Sequence, residues 1–339
     1  MRLDWDILQV APEFPFRISR SVEESVEVIW VRVSWDGVEG WGEADPSPYY
    51  AETTATVEAA LEAMRPVLEA ARDPERLEGL ERELRTTVDG NASAHAAVSA
   101  ALHDLAGKRL RRPLWALLGL DPEAAPPSSF TIGLDEPEVM VDKIRRAGER
   151  PILKIKVGTE RDEEILHAVR GAAPDRTLRV DANAAWTADE AFERMEMLSA
   201  FGVEFVEQPL PPTDVEGYRR LHEAGRLPVI VDESCLVAAD IPGLVGLADG
   251  INVKLAKCGG PREALRMIHT ARACGLKVMM GCMLETSLGI AAAAHLAPLL
   301  DFADLDGAAL LRDDPFDGPH LEGGRIVLSD APGLGVTRR

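Results

Sequence analysis

Cysteine is scarce in this chain of 339 residues, and Cys235, Cys258, Cys274 and Cys282 show no CxxC spacing. That pattern offers neither a thiolate zinc site nor a dithiol redox pair. In apolar or glycine-rich surroundings these thiols are expected to be free and buried, as in a reducing compartment. Basic charge is short as well: 37 Lys and Arg stand against 57 Asp and Glu, a net of −20. Nucleic acid and anionic membranes both demand a basic footprint, so neither is expected as a partner. Long apolar runs are missing too. The most apolar stretch, Leu288 to Leu300, includes His295 and Pro298 and is too short to cross a bilayer. The first residues, MRLDWDILQVAPEF, carry acidic side chains early and lack the apolar core of a signal peptide. A cytoplasmic location is expected.

What is present is a fully apolar-patterned chain. Hydrophobic residues make up 46% and occur throughout, and the length suits one large barrel with a smaller domain. Ser25–Trp35 alternates apolar and polar residues and meets Val38–Ala44 through Asp36-Gly37, which predicts a hairpin. Helical patterns follow over Thr53–Ala71 and Pro74–Thr87. Asn91 is positioned to cap an alanine-rich helix reaching Arg111, with Pro113 as its stop signal. Strands followed by helices describe a small α+β domain.

From about Ser128 short β-branched or apolar runs recur, each followed by a helical stretch. They centre near Thr131, Ile155, Val180, Phe205, Val231, Val253, Val278 and Ala303, roughly 25 residues apart. Eight strands at so even a period predict an α/β fold, a TIM-type barrel, in preference to an open doubly wound sheet. The expected division is a capping domain over 1–125, completed by 312–339, and a barrel over 126–311. The tail, Gly324-Arg-Ile-Val-Leu-Ser-Asp with Pro332-Gly333, reads as one more strand and a turn packing back on the first domain.

Alternation then makes the barrel interior legible. In Ile152–Val157, Leu153, Ile155 and Val157 suit the surrounding helices, which sends Lys154 and Lys156 inward. Two buried ammonium groups on one strand need counter-charges or a function; an edge strand with solvated lysines is the plainer alternative. Counter-charges appear on the next three strands, which end in Asp181, Glu207 and Asp232, 26 and 25 residues apart. Catalytic residues sit at that end of barrel strands. A single strand-end Asp commonly caps the next helix, but three in register with no paired His or Cys favour a hard cation, Mg²⁺ before Mn²⁺. On the sixth strand the same parity points Asn252 and Lys254 inward. Strands two and six are diametrically opposite, so Lys156 and Lys254 would face a substrate from two sides. That suits taking a proton from one face of a carbon and returning one to the other. The carbon acid beside a carboxylate is a weak one, and the charge formed on deprotonation needs a cation. Lys154 beside Lys156 would favour its neutral amine. The seven histidines are scattered without ligand spacing, and Lys257 is placed to bond a loop or the carboxylate row.

The motifs Lys154-Ile-Lys156-Val-Gly, Val180-Asp-Ala-Asn183, Val206-Glu-Gln-Pro209, Val231-Asp-Glu-Ser234 and Asn252-Val-Lys-Leu-Ala-Lys-Cys-Gly-Gly260 resemble the enolase superfamily, in its muconate-lactonizing subgroup. Gly40-Trp-Gly-Glu-Ala44 and Gly90-Asn-Ala-Ser93 agree, so the resemblance covers nearly the whole chain. A Lys base working with Mg²⁺ is the general pattern of that superfamily. The resemblance implies a capping α+β domain over a (β/α)7β barrel, with Lys156 and Lys254 as the acid/base pair. Asp181, Glu207 and Asp232 would then be ligands of one Mg²⁺ per subunit. Within the subgroup, Asp304-Leu-Asp306 is similar to the Asp-x-Asp by which dipeptide epimerases bind a substrate's free α-ammonium, and two carboxylates on one face suit a cationic amine. A solvated acidic turn of Asp301, Asp304 and Asp306 is the alternative. Thr131-Ile-Gly-Leu-Asp and Gly281-Cys-Met-Leu-Glu-Thr286 also look like dipeptide epimerases, which makes Thr131 and Glu285 substrate-binding candidates. In the L-Ala-D/L-Glu branch an arginine of a mobile N-terminal loop pairs with the Glu side chain; Arg17 and Arg20 lie in the corresponding segment, with Glu23 and Glu24 close behind. An acidic loop could equally favour a cationic side chain. The expected activity is epimerisation at the α-carbon of a dipeptide's C-terminal residue, in a homo-oligomer. The alternatives are an N-acylamino acid racemase, a muconate-type cycloisomerase or o-succinylbenzoate synthase, and a catalytically silent barrel that serves only to bind.

Overall fold

The computed structural model describes residues 1–339. The chain opens with β1 (Arg2–Val10), passes through a small hairpin of β2 (Phe16–Ile18) and β3 (Ser21–Glu23), and then makes the expected hairpin of β4 (Val26–Trp35) and β5 (Val38–Ala44). Asp36 and Gly37 have φ of 49° and 77°, the left-handed pair that a two-residue hairpin turn requires. β1, for which the sequence raised no expectation, pairs along its length with β4. Asp4 and Asp6 interrupt its apolar run and Ile7 is exposed, so its alternation is faint.

Three helices cover this sheet: α1 (Thr54–Ala70), α2 (Leu77–Thr87) and α3 (Ala92–Leu110). Thr53 and Thr56 form a reciprocal capping box at the start of α1. Asn91 stands at the start of α3 but makes no side-chain cap bond. Glu52 serves instead, its carboxylate accepting from the backbone and hydroxyl of Ser93. A Cβ on Gly40 would lie 2.0 Å from the Ala101 carbonyl oxygen, and one on Gly42 2.1 Å from that of Ala97. Only glycine therefore lets the alanine-rich α3 lie directly on β5. Leu3, Val31, Leu61 and Leu102 close the core between sheet and helices.

After α4 (Leu114–Leu117) come eight parallel strands: β6 (Phe130–Ile132), β7 (Ile152–Lys156), β8 (Thr177–Asp181), β9 (Val203–Glu207), β10 (Val229–Val231), β11 (Gly250–Val253), β12 (Lys277–Met280) and β13 (Phe302–Ala303). Each pairs with its neighbours in sequence. The Ser129 N–H donates to the Ala303 carbonyl at 3.0 Å and brings the first strand to the last. Helices α5 (Pro137–Arg146), α6 (Asp162–Ala172), α7 (Ala188–Ala200) and α8 (Val215–Ala224) follow the first four strands. α9 (Leu255–Cys258) and α10 (Pro261–Ala273) follow β11, and α11 (Ser287–Ala294) follows β12. The fifth crossover departs from expectation: it is a 3-10 segment, Ala238–Leu244, with Pro242 inside it. Proline removes a backbone donor and blocks a regular α-helix there. Leu153, Ile155 and Val157 face outward into the large core shared with the helices.

The tail corrects one expectation in part. Arg325–Val327 pairs with His320–Glu322, not with the N-terminal sheet. That hairpin lies at the entry end of the barrel, where the Ser128 N–H donates to the Gly324 carbonyl. The Pro332-Gly333 turn does pack on the cap: Asp104 of α3 accepts from the Leu334 N–H at 2.7 Å. Phe316 packs against Trp30 and Trp41.

Candidate active site

β7 delivers Lys154 and Lys156 to the barrel interior, both buried. The alternative of a solvated edge strand is excluded. Lys156 Nζ is 2.6 Å from Asp181 at the end of β8. Lys154 Nζ lies among three carboxylates, 2.6 Å from Glu207, 2.7 Å from Asp304 and 3.2 Å from Asp181. Burial opposes its charge, but Asp304, Glu207 and Asp181 outweigh that and hold Lys154 well above the usual lysine range. The positive charge expected to act on Lys156 is thus offset where it sits.

Lys254 follows β11, across the barrel from β7, and its Nζ is 2.9 Å from Asp232. Lys257 reaches the same carboxylate at 2.6 Å and also donates to the Cys235 carbonyl, so it meets both a loop and the acidic row. Burial works against ionisation of Asp181, yet Lys156 and Lys154 keep its pKa low; Lys254 and Lys257 do the same for Asp232. Glu207 is different. Burial and the adjacent Asp181 push its carboxyl up to about 7. Asn252 Nδ2 donates to its Oε1 at 2.7 Å, while Oε2 touches Lys154 outside hydrogen-bond geometry.

The carboxylates are turned onto ammonium groups, and no three acidic side chains converge closely enough to enclose a metal as they stand. The donor chemistry nonetheless fits a hard cation. Buried acceptor oxygens of Asn183, Glu207, Glu233 and Asn252 gather at the ends of successive strands without hydrogen-bond donors. Asp181, Glu207 and Asp232 are all oxygen ligands, the set that Mg²⁺ prefers.

Asp304 and Asp306, just beyond β13, are 3% and 2% exposed, which excludes a solvated acidic turn. Ser129 Oγ donates to Asp304 at 2.6 Å, and the Thr131 backbone N–H donates to Asp306 at 2.5 Å. Burial and Asp304 push the Asp306 carboxyl up to about 7, so a further positive group is favoured there. Arg20, at the tip of the β2–β3 hairpin, hangs over the barrel mouth. Its guanidinium donates to Glu233 and to the Asn183 carbonyl, both at 2.8 Å, and stacks on Tyr49. It arrives near the site but already paired. Glu285, in the loop before α11, sits beside Glu43 of the cap, whose carboxylate binds the backbone and hydroxyl of Thr286.

Three buried residues near the site were not expected there from the sequence. Arg179 shares parity with Asp181 and is buried in the barrel, its guanidinium packed on Phe205 and Phe302 and bonded to Glu204. The same alternation that exposes Asp181 to the interior could have found it. Asp45, directly after β5, and Glu233, two residues after β10, are both buried, but no periodicity marks a loop side chain. The buried histidines are structural: His95 and His103 bond backbone carbonyls, and His295 joins Trp115 to Leu334.

Fold and site together define a capped (β/α)7β-barrel enzyme with buried lysines and carboxylates gathered at one end of its strands. Residues 3–119 match the mandelate racemase/muconate lactonizing enzyme N-terminal domain, and residues 139–339 match the enolase C-terminal domain-like family. The chain belongs to the enolase superfamily. It is 39% identical to L-Ala-D/L-Glu epimerase of Bacteroides thetaiotaomicron over 91% of this chain and 81% of that one. A dipeptide epimerase from Enterococcus faecalis V583, solved with Mg and L-Leu-L-Tyr, is 34% identical with a TM-score of 0.92, covering 99% of both chains. One from Methylococcus capsulatus, solved with Mg and L-Arg-D-Lys, is 33% identical with a TM-score of 0.92 over 98% of each. No helix is long and apolar enough to cross a membrane.

Proposed function

We propose that the chain is a Mg²⁺-dependent dipeptide epimerase that inverts the α-carbon of the C-terminal residue by two-base proton transfer. One observation carries this reading: buried Lys156 and Lys254 stand on opposite walls of the barrel with Asp181, Glu207 and Asp232 on the strands between. Those three carboxylates would hold the metal, which when bound supplies positive charge opposite the substrate carboxylate. Lys156 and Lys254 take the α-proton from one face and return one to the other, exchanging roles with the handedness of the substrate. Lys154 orients Glu207, Asp181 and Asp304 through its contacts with all three. Asp304 and Asp306, braced by Ser129 and Thr131, receive the free α-ammonium. An N-acylated substrate has no such charge and would leave Asp306 without a cationic partner, Asp304 keeping only Lys154. Arg20 and its partner Glu233 cover the mouth, and Glu285 lies beside the substrate. Residues 1–125, joined by the Phe316 and Pro332-Gly333 parts of the 312–339 tail, form the cap and 126–311 the barrel, in a cytoplasmic homo-oligomer; four free cysteines agree with a reducing compartment.

Incubating the enzyme with dipeptides in D₂O and following mass gain tests the reading. Exchange into dipeptides is expected. Exchange into N-succinyl amino acids with none into dipeptides would instead assign an acylamino acid racemase. Lys156→Ala and Lys254→Ala should each reduce epimerisation by about 10²–10⁴-fold, and full turnover in both variants would end the two-base mechanism.

A further inference from the structure

On the cap side of the site lie carboxylates that proton transfer does not use. Asp45, just after β5, and Glu285, before α11, are 8% and 6% exposed. Every charged neighbour with a leading effect on Asp45 is itself a carboxylate: Glu285, Glu43, Glu23 and Glu52. Asp45 forms no ion pair and accepts no hydrogen bond, yet its oxygens are not among the sealed, unpartnered atoms of the interior. They keep access to solvent. Glu285 is electrostatically linked to Lys254, and Glu23 of β3 to Lys156. Glu23 pairs across its hairpin with Phe16, whose ring centre lies 5.9 Å from Lys156 Nζ. Glu285 meets Glu43, two residues before Asp45, at Gly289; Glu23, Asp45 and Glu285 thus form an arc beneath the cap.

The fold makes room for this arc at a cost. A Cβ on Gly289 of α11 would fall 2.6 Å from Glu43 Oε1 and 2.8 Å from the Glu285 Cβ, so the helix admits two carboxylates only because it carries no side chain there. Burying carboxylates without counter-ions is unfavourable. It pushes Asp45 well above the usual carboxylate range and Glu285 up to about 7. An anionic ligand group would worsen this, and Arg20, which could have received one, is occupied by Glu233.

We propose that the arc is a subsite for a cationic substrate side chain, a lysyl or arginyl group, with Asp45 and Glu285 as its specificity-determining residues; this rests on the dipeptide-epimerase reading above. An ammonium or guanidinium between the two carboxylates supplies the counter-charge that Asp45 lacks and that Glu285 receives only from Lys254. The test is a kcat/KM panel of L-Ala-L-Lys, L-Lys-L-Ala, L-Ala-L-Arg, L-Ala-L-Leu and L-Ala-L-Glu, read by deuterium incorporation. At least one cationic dipeptide is expected to exceed both the leucyl and glutamyl ones by about tenfold or more. Exchange into leucyl or glutamyl dipeptides at equal or higher efficiency overturns the subsite and leaves the epimerase reading standing. Exchange into none of them overturns both. In Asp45→Asn and Glu285→Gln the preference for cationic over leucyl dipeptides should fall about tenfold, mainly through KM; equal loss on both substrate types refutes a role in specificity.

Discussion

Two levels of the barrel interior are built by the same alternation on the same strands, and they are chemically opposite. Phe205, Ile230, Met279 and Phe302 pack together on the lower level. Two residues further along come Glu207, Asp232, Gly281 and Asp304. The lower side chains each gain about 1.5–3 kcal/mol by leaving water. The upper ones lose hydration, and their mutual attraction seldom repays more than that loss. Stability and chemistry therefore divide along a single strand. Arg179 shows how the boundary is kept: its guanidinium lies on the Phe205 and Phe302 rings while its polar atoms bond Glu204 and the Ala303 carbonyl. The upper level persists because nearly every charge has a partner. Even so, Asp181, Glu207, Asp232, Asp304 and Asp306 outnumber Lys154, Lys156, Lys254 and Lys257.

The contrast is tested most severely by Lys154→Met, which strips one shared ammonium from three carboxylates. Unfolding free energy should fall by about 3–5 kcal/mol in EDTA and by less in Mg²⁺. Urea denaturation in both conditions measures this; a variant as stable as wild type in EDTA would dissolve the distinction between levels. Phe205→Ala on the lower level should cost about 3–5 kcal/mol whether or not Mg²⁺ is present. Metal dependence of that loss would mean the two levels are not separate.

His295 extends the comparison to the junction of barrel, cap and tail. Its Nδ1 accepts from the Trp115 N–H and its Nε2 faces the Leu334 carbonyl, and burial pushes its pKa down to about 4. The unfolded chain, with an ordinary value near 6.5, takes up that proton first. The stability is therefore complete above pH 6.5 and declines towards pH 4, by about 3 kcal/mol in all from this group. Replacing it by Gln should flatten that part of the pH–stability curve; an unchanged slope would transfer the effect to other groups. The smallest effect belongs to the surface. Asp142 pairs with Arg145 at 2.8 Å with both side chains mostly exposed, so Asp142→Asn should shift thermal unfolding by no more than about 0.5 kcal/mol. A large shift there would show that ion pairs stabilise this protein irrespective of burial.

Legibility followed periodicity. Lys154, Lys156, Asp181, Glu207, Asp232 and Lys254 could be placed because strand parity leaves only two directions and apolar neighbours claim one of them. β1 was faint because Asp4, Asp6 and Ile7 break its pattern. The 3-10 crossover was foreshadowed only by Pro242. Asn91 has the right residue type for a cap, but the left-handed backbone there takes its side chain out of reach, and Glu52, far away in sequence, takes over.

The lysine pair, the carboxylate row and the barrel that carries them were written into the sequence, since each depends on a local repeat and a two-way choice of face. Three things awaited tertiary structure. Lys154 is gripped by carboxylates from three strands, Arg20 is spent on Glu233, and Glu43 of the cap accepts from Thr286 of the barrel beside Glu285. Each is an encounter between side chains distant in sequence, and electrostatic environment depends on who is buried beside whom, which no period records.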